Sequence, residues 1–228
     1  LANISKLVVV GNDLYAGGLF SNMGGNASAR NIARFDGTTW HGLKNGIDAF
    51  GSGVTIAPYK NGVLVGGEYA SIDGNTELSR IAYWNGEDWE SFGNGVNSLV
   101  KAIAIEGNDV YVGGYFTESG GIPAKYISKW NGTEWIPLGD GLTGVVNAIE
   151  VKDGHVWVGG NFSDVDGNES IRNIARWDQS KWNAVEDGLN DEVMSMALVD
   201  DFLFIGGRFT STSGAGPFGN YIHSYFTY

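Results

Sequence analysis

A chain whose pattern returns five times at a spacing near 47 residues has few folds open to it, and that repeat is the strongest constraint in this sequence. An apolar run ending in a glycine pair recurs as LYAGGLF (14–20), VLVGGEY (63–69), VYVGGYF (110–116), VWVGGNF (156–162) and LFIGGRF (203–209). The first glycine of each pair is residue 17, 66, 113, 159 and 206, giving steps of 49, 47, 46 and 47. A second matched segment follows as NIARFDGTTW (31–40), RIAYWNGEDW (80–89), YISKWNGTEW (126–135) and NIARWDQSKW (173–182), and the partial copy YIHSYFTY (221–228) ends the chain.

Each repeat reads as four short strands. Strand a is VVNAIEV (145–151) and its counterparts, aligned on Leu7, Ile56, Ile103, Ile149 and Met196. Strand b is the glycine-pair run, strand c the IARW-like segment, and strand d starts at the second Trp. Turn chemistry marks the joints. Gly107-Asn108-Asp109 and Asp153-Gly154 lie between a and b, and Asp36-Gly37, Asn85-Gly86 and Asn131-Gly132 between c and d. Such pairs supply the positive φ of tight hairpins. Gly93-Asn94-Gly95 and Gly139-Asp140-Gly141 close their repeats, and nothing has helical period. Four-stranded antiparallel units at this spacing are β-propeller blades, which cannot bury their apolar faces alone and therefore stack. The expectation is an all-β, five-bladed β-propeller. It forms a single domain over 1–228, with blades at approximately 1–47, 48–96, 97–142, 143–189 and 190–228. The last blade lacks its fourth strand in this chain, so either it has three strands or the missing one, or further blades, lie outside.

Composition narrows the function classes. Glycine, at 36 of 228 residues, is about twice its usual share and fits a turn-rich β protein. A net charge of −12 argues against nucleic acid or an anionic membrane surface as main partner. The absence of cysteine removes disulfide scaffolds, thiolate zinc sites and cysteine nucleophiles. No apolar run approaches the ~18 residues of a membrane helix, so membrane insertion is not expected. The chain begins with Leu1 and carries no signal-peptide pattern, as a processed protein or an excised domain with flanking domains would.

The segments VYVGGYFTESGG (110–121) and ISKWNGTEWIPLGDG (127–141) resemble repeats of the bud-site-selection cortical-marker family of fungi and related bacterial surface proteins, and more distantly kelch and galactose-oxidase-type propellers. The resemblance implies an extracellular or cell-surface scaffold module and supplies no catalytic motif.

Candidate sites follow from what the repeats do not share. The glycine pairs weaken strand preference, so a bulge or close backbone approach is expected at them; a phosphate cradle would need a following helix. Aromatics recur at two positions. Trp84, Trp130 and Trp177 align with Phe35 and Tyr225 on strand c and read as core. Trp40, Trp89, Trp135 and Trp182 begin strand d just after a turn, and are the candidates for stacking on sugar rings. His41, His155 and His223 occupy three different repeat positions and compose no triad. Asp48, Glu150, Asp191 and Glu192, near strand a, are the carboxylates a glycosidase of this fold would use. Sequons occur at Asn3, Asn26, Asn131, Asn161 and Asn168.

The b–c connections have nearly constant length and different fillings, from SNMGGNASARN in the first repeat to SDVDGNESIRN in the fourth. Asp164, Asp166, Asn168 and Glu169 look like the start of a calcium loop. However, the sixth and twelfth positions, which such a loop fills with Gly and a bidentate acid, are Glu169 and Ala175. A looser calcium site from those four residues is the only cofactor expectation. The shared element is a Gly-Asn turn, as Gly25-Asn26, Gly74-Asn75 and Gly167-Asn168. Variable loops on a constant frame are the layout of a recognition surface. The expected function is thus a non-enzymatic binding or scaffold module for a protein or glycan partner. The alternatives are a lectin using the strand-d tryptophans and a glycoside hydrolase with carboxylates in the central funnel.

Overall fold

The computed structural model describes residues 3–165, 168, 171–210 and 223–226, with the backbone alone at 50–53 and 223–226. Among them the chain is all-β, with 21 strands and two three-residue 3-10 turns, Met23–Gly25 and Thr76–Leu78. Strand a is Asn3–Val10, Ile47–Tyr59, Val100–Glu106, Val145–Lys152 and Val193–Val199 in successive repeats. Strand b is Asp13–Leu19, Gly62–Ile72, Asp109–Gly114, His155–Asn161 and Phe202–Gly207. Strand c is Ile32–Phe35, Ile81–Trp84, Ile127–Trp130, Ile174–Trp177 and His223–Phe226. Strand d is Trp40–Gly42, Trp89–Ser91, Trp135–Pro137 and Trp182–Ala184. The first four repeats each form a four-stranded sheet in the order a-b-c-d, and the fifth forms a three-stranded sheet a-b-c. The sheets have the strand order of propeller blades, and among the described residues no sheet is closed on itself. The chain divides into two compact units, Leu1–Ile103 with Glu118–Ile122, and Ala104–Thr117 with Pro123–Tyr228.

Within each unit the glycine pairs explain how one repeat meets the next. A Cβ built on Gly17 would lie 2.8 Å from Val54 Cγ2 and 3.1 Å from Ile56 Cγ2; one on Gly66 would lie 2.6 Å from Val100 Cγ1 and 3.2 Å from Ile103 Cδ1. In the second unit a Cβ on Gly113 would lie 2.8 Å from Val146 Cβ and 3.0 Å from Ile149 Cδ1, and one on Gly159 3.0 Å from both Val193 Cβ and Met196 Sδ. The first glycine is therefore a seat for two aliphatic side chains on strand a of the following repeat. Val54, Val100, Val146 and Val193 are at most 2% exposed there. Burying each contributes on the order of 1.5–3 kcal/mol. The second glycine answers a different need. Strand a carries a bulge between Ile4 and Lys6, between Val146 and Ala148, and between Val193 and Ser195. A side chain on Gly18, Gly160 or Gly207 would run into the strand-a carbonyl of Asn3, Val145 or Glu192 at that bulge. The bulged residue reaches forward: Ser5 Oγ donates to the Val54 carbonyl at 2.5 Å, and Asn147 Nδ2 to the Val193 carbonyl at 2.8 Å.

The two aromatic ladders are one. Phe35 and Trp40, Trp84 and Trp89, Trp130 and Trp135, and Trp177 and Trp182 are direct cross-strand partners on the c–d hairpin. Their ring centroids are 5.1 to 5.5 Å apart. The hairpin turn holds them in register: Asp36, Asn85, Asn131 and Asp178 each accept two backbone N–H groups with one side-chain oxygen.

Candidate functional site

The four described b–c loops share a left-handed base residue and differ at their tips. At the base of the first and fourth loops a buried asparagine with positive φ closes the chain on itself. Asn31 Oδ1 accepts from the Phe20 N–H at 2.9 Å while its Nδ2 donates to the Ile47 carbonyl at 2.7 Å. Asn173 does the same to Phe162 and Leu189, at 3.1 and 2.9 Å. Arg80 and Tyr126 hold the same left-handed backbone, at φ 65° and 68°. The closing turn of the repeat is fastened to this base. The N–H groups of Ile47, Leu142 and Leu189 donate to the carbonyls of Arg30, Lys125 and Arg172 at 3.0, 3.1 and 3.0 Å. Gly46 and Gly141 allow that approach, since a Cβ there would strike those same Arg30 and Lys125 carbonyls. Each of the four described loops also buries side chains of its own: Ala29 in the first, Ile72 and Leu78 in the second, Ser119 and Ala124 in the third, Val165 and Ile171 in the fourth.

At the tips lies a two-residue left-handed turn. Gly24-Gly25 has φ 59° and 85°, Asp73-Gly74 50° and 78°, and Gly120-Gly121 61° and 84°. In the second loop Asn75 N donates to the Ile72 carbonyl at 2.8 Å and Ile72 N to the Asn75 carbonyl at 3.2 Å, a two-residue hairpin. The expected Gly-Asn turn is thus more general than its asparagine, because Ile122 follows the turn in the third loop. Asp73 occupies a position where positive φ is required and Asp tolerates it. Val165 and Asn168 are bridged in the same way in the fourth loop.

The four calcium candidates divide accordingly. Asp166 and Glu169 lie outside the described residues. Asp164 is half-buried and accepts from the Ser163 hydroxyl at 3.0 Å, while its N–H meets Thr143 Oγ1 at 3.3 Å. Asn168 is exposed, with its backbone in the Val165 bridge. Among the described residues no group of three or more His, Cys, Asp or Glu is placed to hold a metal ion.

The strand-d tryptophans divide as well, and two depart from the expected exposed role. Trp135 and Trp182 are 5% and 6% exposed and offer no face to a sugar. Trp182 is drawn inward by its indole N–H, which donates to the Leu138 carbonyl of the preceding repeat at 3.1 Å, with Gly139 lying against the Trp177 ring. Trp89 makes the longer equivalent to the Leu43 carbonyl, 3.4 Å, and is half-buried like Trp40. On strand c, Trp84 is buried as expected, but Trp130 and Trp177 are half-exposed, the reverse of their strand-d partners. Trp157 is buried at 4% on strand b.

The carboxylates near strand a have structural partners. Asp48 pairs with Arg30 at 2.9 Å, Glu192 Oε1 accepts from Asn147 at 2.8 Å, and Asp191 caps the Glu192 N–H at 2.7 Å. What sets the loops apart is their exposed tips. The second presents Asp73, Asn75, Thr76 and Glu77, the third Ile122 and Pro123, the first Asn22 and Ala27. This arrangement suits recognition of a surface by contact.

No family model matches the chain, and no curated protein matches it in sequence, so the resemblance to the cortical-marker family has no sequence-level support. Solved structures do match. The extracellular domain of the hybrid two-component system BT4673 from B. thetaiotaomicron is 11% identical with TM-score 0.61, the match covering 99% of this chain and 26% of that one. A chain of the mitotic checkpoint complex is 14% identical with TM-score 0.61, covering 99% and 62%. YCF48 bound to D1 peptide is 13% identical with TM-score 0.52, covering 90% and 61%. At these identities the likeness is one of propeller-like fold. No helix among the described residues is long and apolar enough to cross a membrane.

Proposed function

We propose that this chain is a non-enzymatic protein-binding module, an array of five propeller blades that recognises its partner through the b–c loop tips. The observation that carries the reading is the division within the four described loops. The base is fastened by buried asparagines in the first and fourth loops and by hydrogen bonds to the closing turn in the first, third and fourth, while the exposed tips differ in charge and polarity. Preorganised loops lose little conformational entropy on binding, which favours affinity. Among the structural neighbours, YCF48 is seen bound to a peptide and another chain belongs to a multiprotein complex, which supports a protein partner. An extracellular or cell-surface location is part of the proposal, in keeping with the extracellular neighbour.

The test is peptide-library selection against the chain and against a variant with Asp73→Asn, which keeps the tolerance of positive φ, Glu77→Ser and Ile122→Ser. These side chains are exposed, so the variant should keep the parent melting temperature and lose at least tenfold in affinity for the selected peptides. Equal binding to both proteins would refute the loop assignment. The lectin reading rests on half-buried Trp40 and Trp89 alone, and its requirement for equivalent sites on every blade is weakened by the burial of Trp135 and Trp182. Glycan-array hits abolished by Trp40→Ala would favour it instead.

A further inference from the structure

The chain holds five Asn-Gly pairs: Asn45-Gly46, Asn61-Gly62, Asn85-Gly86, Asn94-Gly95 and Asn131-Gly132. In such a pair the glycine nitrogen can close on the asparagine side-chain carbonyl, because glycine has no Cβ to obstruct the approach. The fold commits four of the five to other bonds. The Gly46 N–H donates to the Leu43 carbonyl and the Gly95 N–H to the Phe92 carbonyl, each at 3.1 Å. Asn61 is held at both ends of its amide: Oδ1 accepts from the Tyr83 hydroxyl at 2.6 Å, and Nδ2 donates to the Asn85 carbonyl at 3.0 Å. Asn85 Nδ2 donates across the c–d hairpin to Glu90 Oε1 at 2.6 Å.

That last bond has equivalents in two other hairpins, where His41 Nε2 meets Asp36 Oδ2 at 2.7 Å and Asn183 Nδ2 donates to Asp178 Oδ2 at 2.8 Å. In the third repeat the clamping position is Ile136, 38% exposed, whose side chain has no polar atom. Asn131 Nδ2 and the Gly132 N–H therefore have no hydrogen-bond partner among the described residues. Asn131 Oδ1, by contrast, accepts from the Thr133 N–H, the Thr133 hydroxyl and the Glu134 N–H, each at 2.9 Å. A Cβ built on Gly132 would meet nothing within 4 Å.

We infer that Asn131 is a self-modifying site, where the folded chain converts an amide to a carboxylate with water as the only co-reactant. The Gly132 nitrogen loses its proton to solvent base and bonds to Asn131 Cγ. The three donors on Oδ1 hold the negative charge that develops there. The Cγ–Nδ2 bond then breaks, and Nδ2 leaves as ammonia with a proton from water. Water opens the resulting cyclic imide at Cγ, which restores the Gly132 peptide bond and leaves an aspartate. Opening at the main-chain carbonyl would instead lengthen the backbone between the cross-strand partners Trp130 and Trp135. The aspartate fits the hairpin, because Asp36 and Asp178 already occupy this place and accept the same hydroxyl and two N–H groups.

Peptide mapping by mass spectrometry, after incubation of the whole chain in mildly alkaline buffer, reads the amide-to-acid conversion at all five pairs together. Asn131 should convert about tenfold faster than Asn85, the effect of one charge-assisted hydrogen bond on the leaving amide. In urea the five rates should draw together. Exchanging the clamps should move the difference: Ile136→Glu slows Asn131 to the rate of Asn85, and Glu90→Ile raises Asn85 towards that of Asn131. Both positions are exposed, so circular dichroism should be that of the parent. Equal rates at Asn131 and Asn85 in the folded chain would overturn the proposal. So would an Asn131 rate that Ile136→Glu leaves unchanged, or a ranking of the five that persists in urea.

Discussion

Replacing Gly113 by Ala tests whether the glycine pair exists for the neighbouring repeat or for its own strand. Gly113 and Val146 belong to the same compact unit. The added methyl would sit 2.8 Å from Val146 Cβ and 3.0 Å from Ile149 Cδ1, against the 3.5–4.0 Å of a relaxed carbon contact. Rotating Val146 about χ1 moves its methyls but not its Cβ, so the backbone of the fourth sheet has to retreat by about 0.7 Å. Overpacking of this kind costs about 1–3 kcal/mol. Ala regains roughly 0.5–1 kcal/mol over Gly within a strand. The net expectation is a loss of about 1–2 kcal/mol. With a urea m-value near 3 kcal/mol per molar, that lowers the unfolding midpoint by about 0.3–0.7 M. Val146→Gly removes the Cβ as well as the methyls that crowd the seat, so the double variant should be less destabilised than the two losses added, by about 1 kcal/mol. Tryptophan fluorescence in urea follows all four proteins. If Gly113→Ala stabilises the chain, or if the two losses add within about 0.4 kcal/mol, the seat reasoning is wrong.

Three more expectations follow from the c–d hairpins. Gln179 holds φ 74° where the other repeats place Gly37, Gly86 and Gly132, so Gln179→Gly should stabilise by about 0.5–1 kcal/mol, the relief of a left-handed side-chain penalty of ~1–2 less the entropy of glycine; an unchanged or lower melting temperature would mean that its contact with Gly154 matters more. Asp36 and Asp178 are held far below the ordinary carboxylate value, by the Thr38 hydroxyl first and then the Thr39 N–H and His41 for Asp36, and by the Ser180 hydroxyl, Asn183 and the Lys181 N–H for Asp178. A lowered folded-state value adds stability that is complete above about pH 4 and is lost as pH falls through the folded value. Asn85 and Asn131 accept the corresponding backbone bonds without titrating, so Asp36→Asn with Asp178→Asn should match the parent at pH 7 and retain more of its stability at pH 2.5. Parallel pH profiles for the two proteins would contradict that assignment. Trp182→Phe leaves the Leu138 carbonyl without its indole donor and should cost about 1–3 kcal/mol by thermal unfolding, whereas Trp40→Phe, half-buried on the first repeat, should cost less.

The sequence by itself determined the repeat, the order of the four strands and the places where the chain turns. These depend on local backbone physics: Asx and Gly where φ must be positive, alternation where one strand faces two environments. It also showed that the glycine pairs require a reason, but that reason lies some 30–40 residues downstream. Whether a side chain fits over Gly113 depends on Val146, and only packing brings the two together. The tryptophans teach the same lesson. Trp130 and Trp135 are equally aromatic and five residues apart, yet the second is buried and the first half-exposed, because burial depends on which neighbouring elements cover each ring. Asp73 has no assigned role in the sequence; folded, it is the residue that tolerates a left-handed turn, at φ 50°. The tertiary structure alone decided that Val54, Val100, Val146 and Val193 are buried on the glycine seats, since burial depends on the neighbouring repeat and not on the residue.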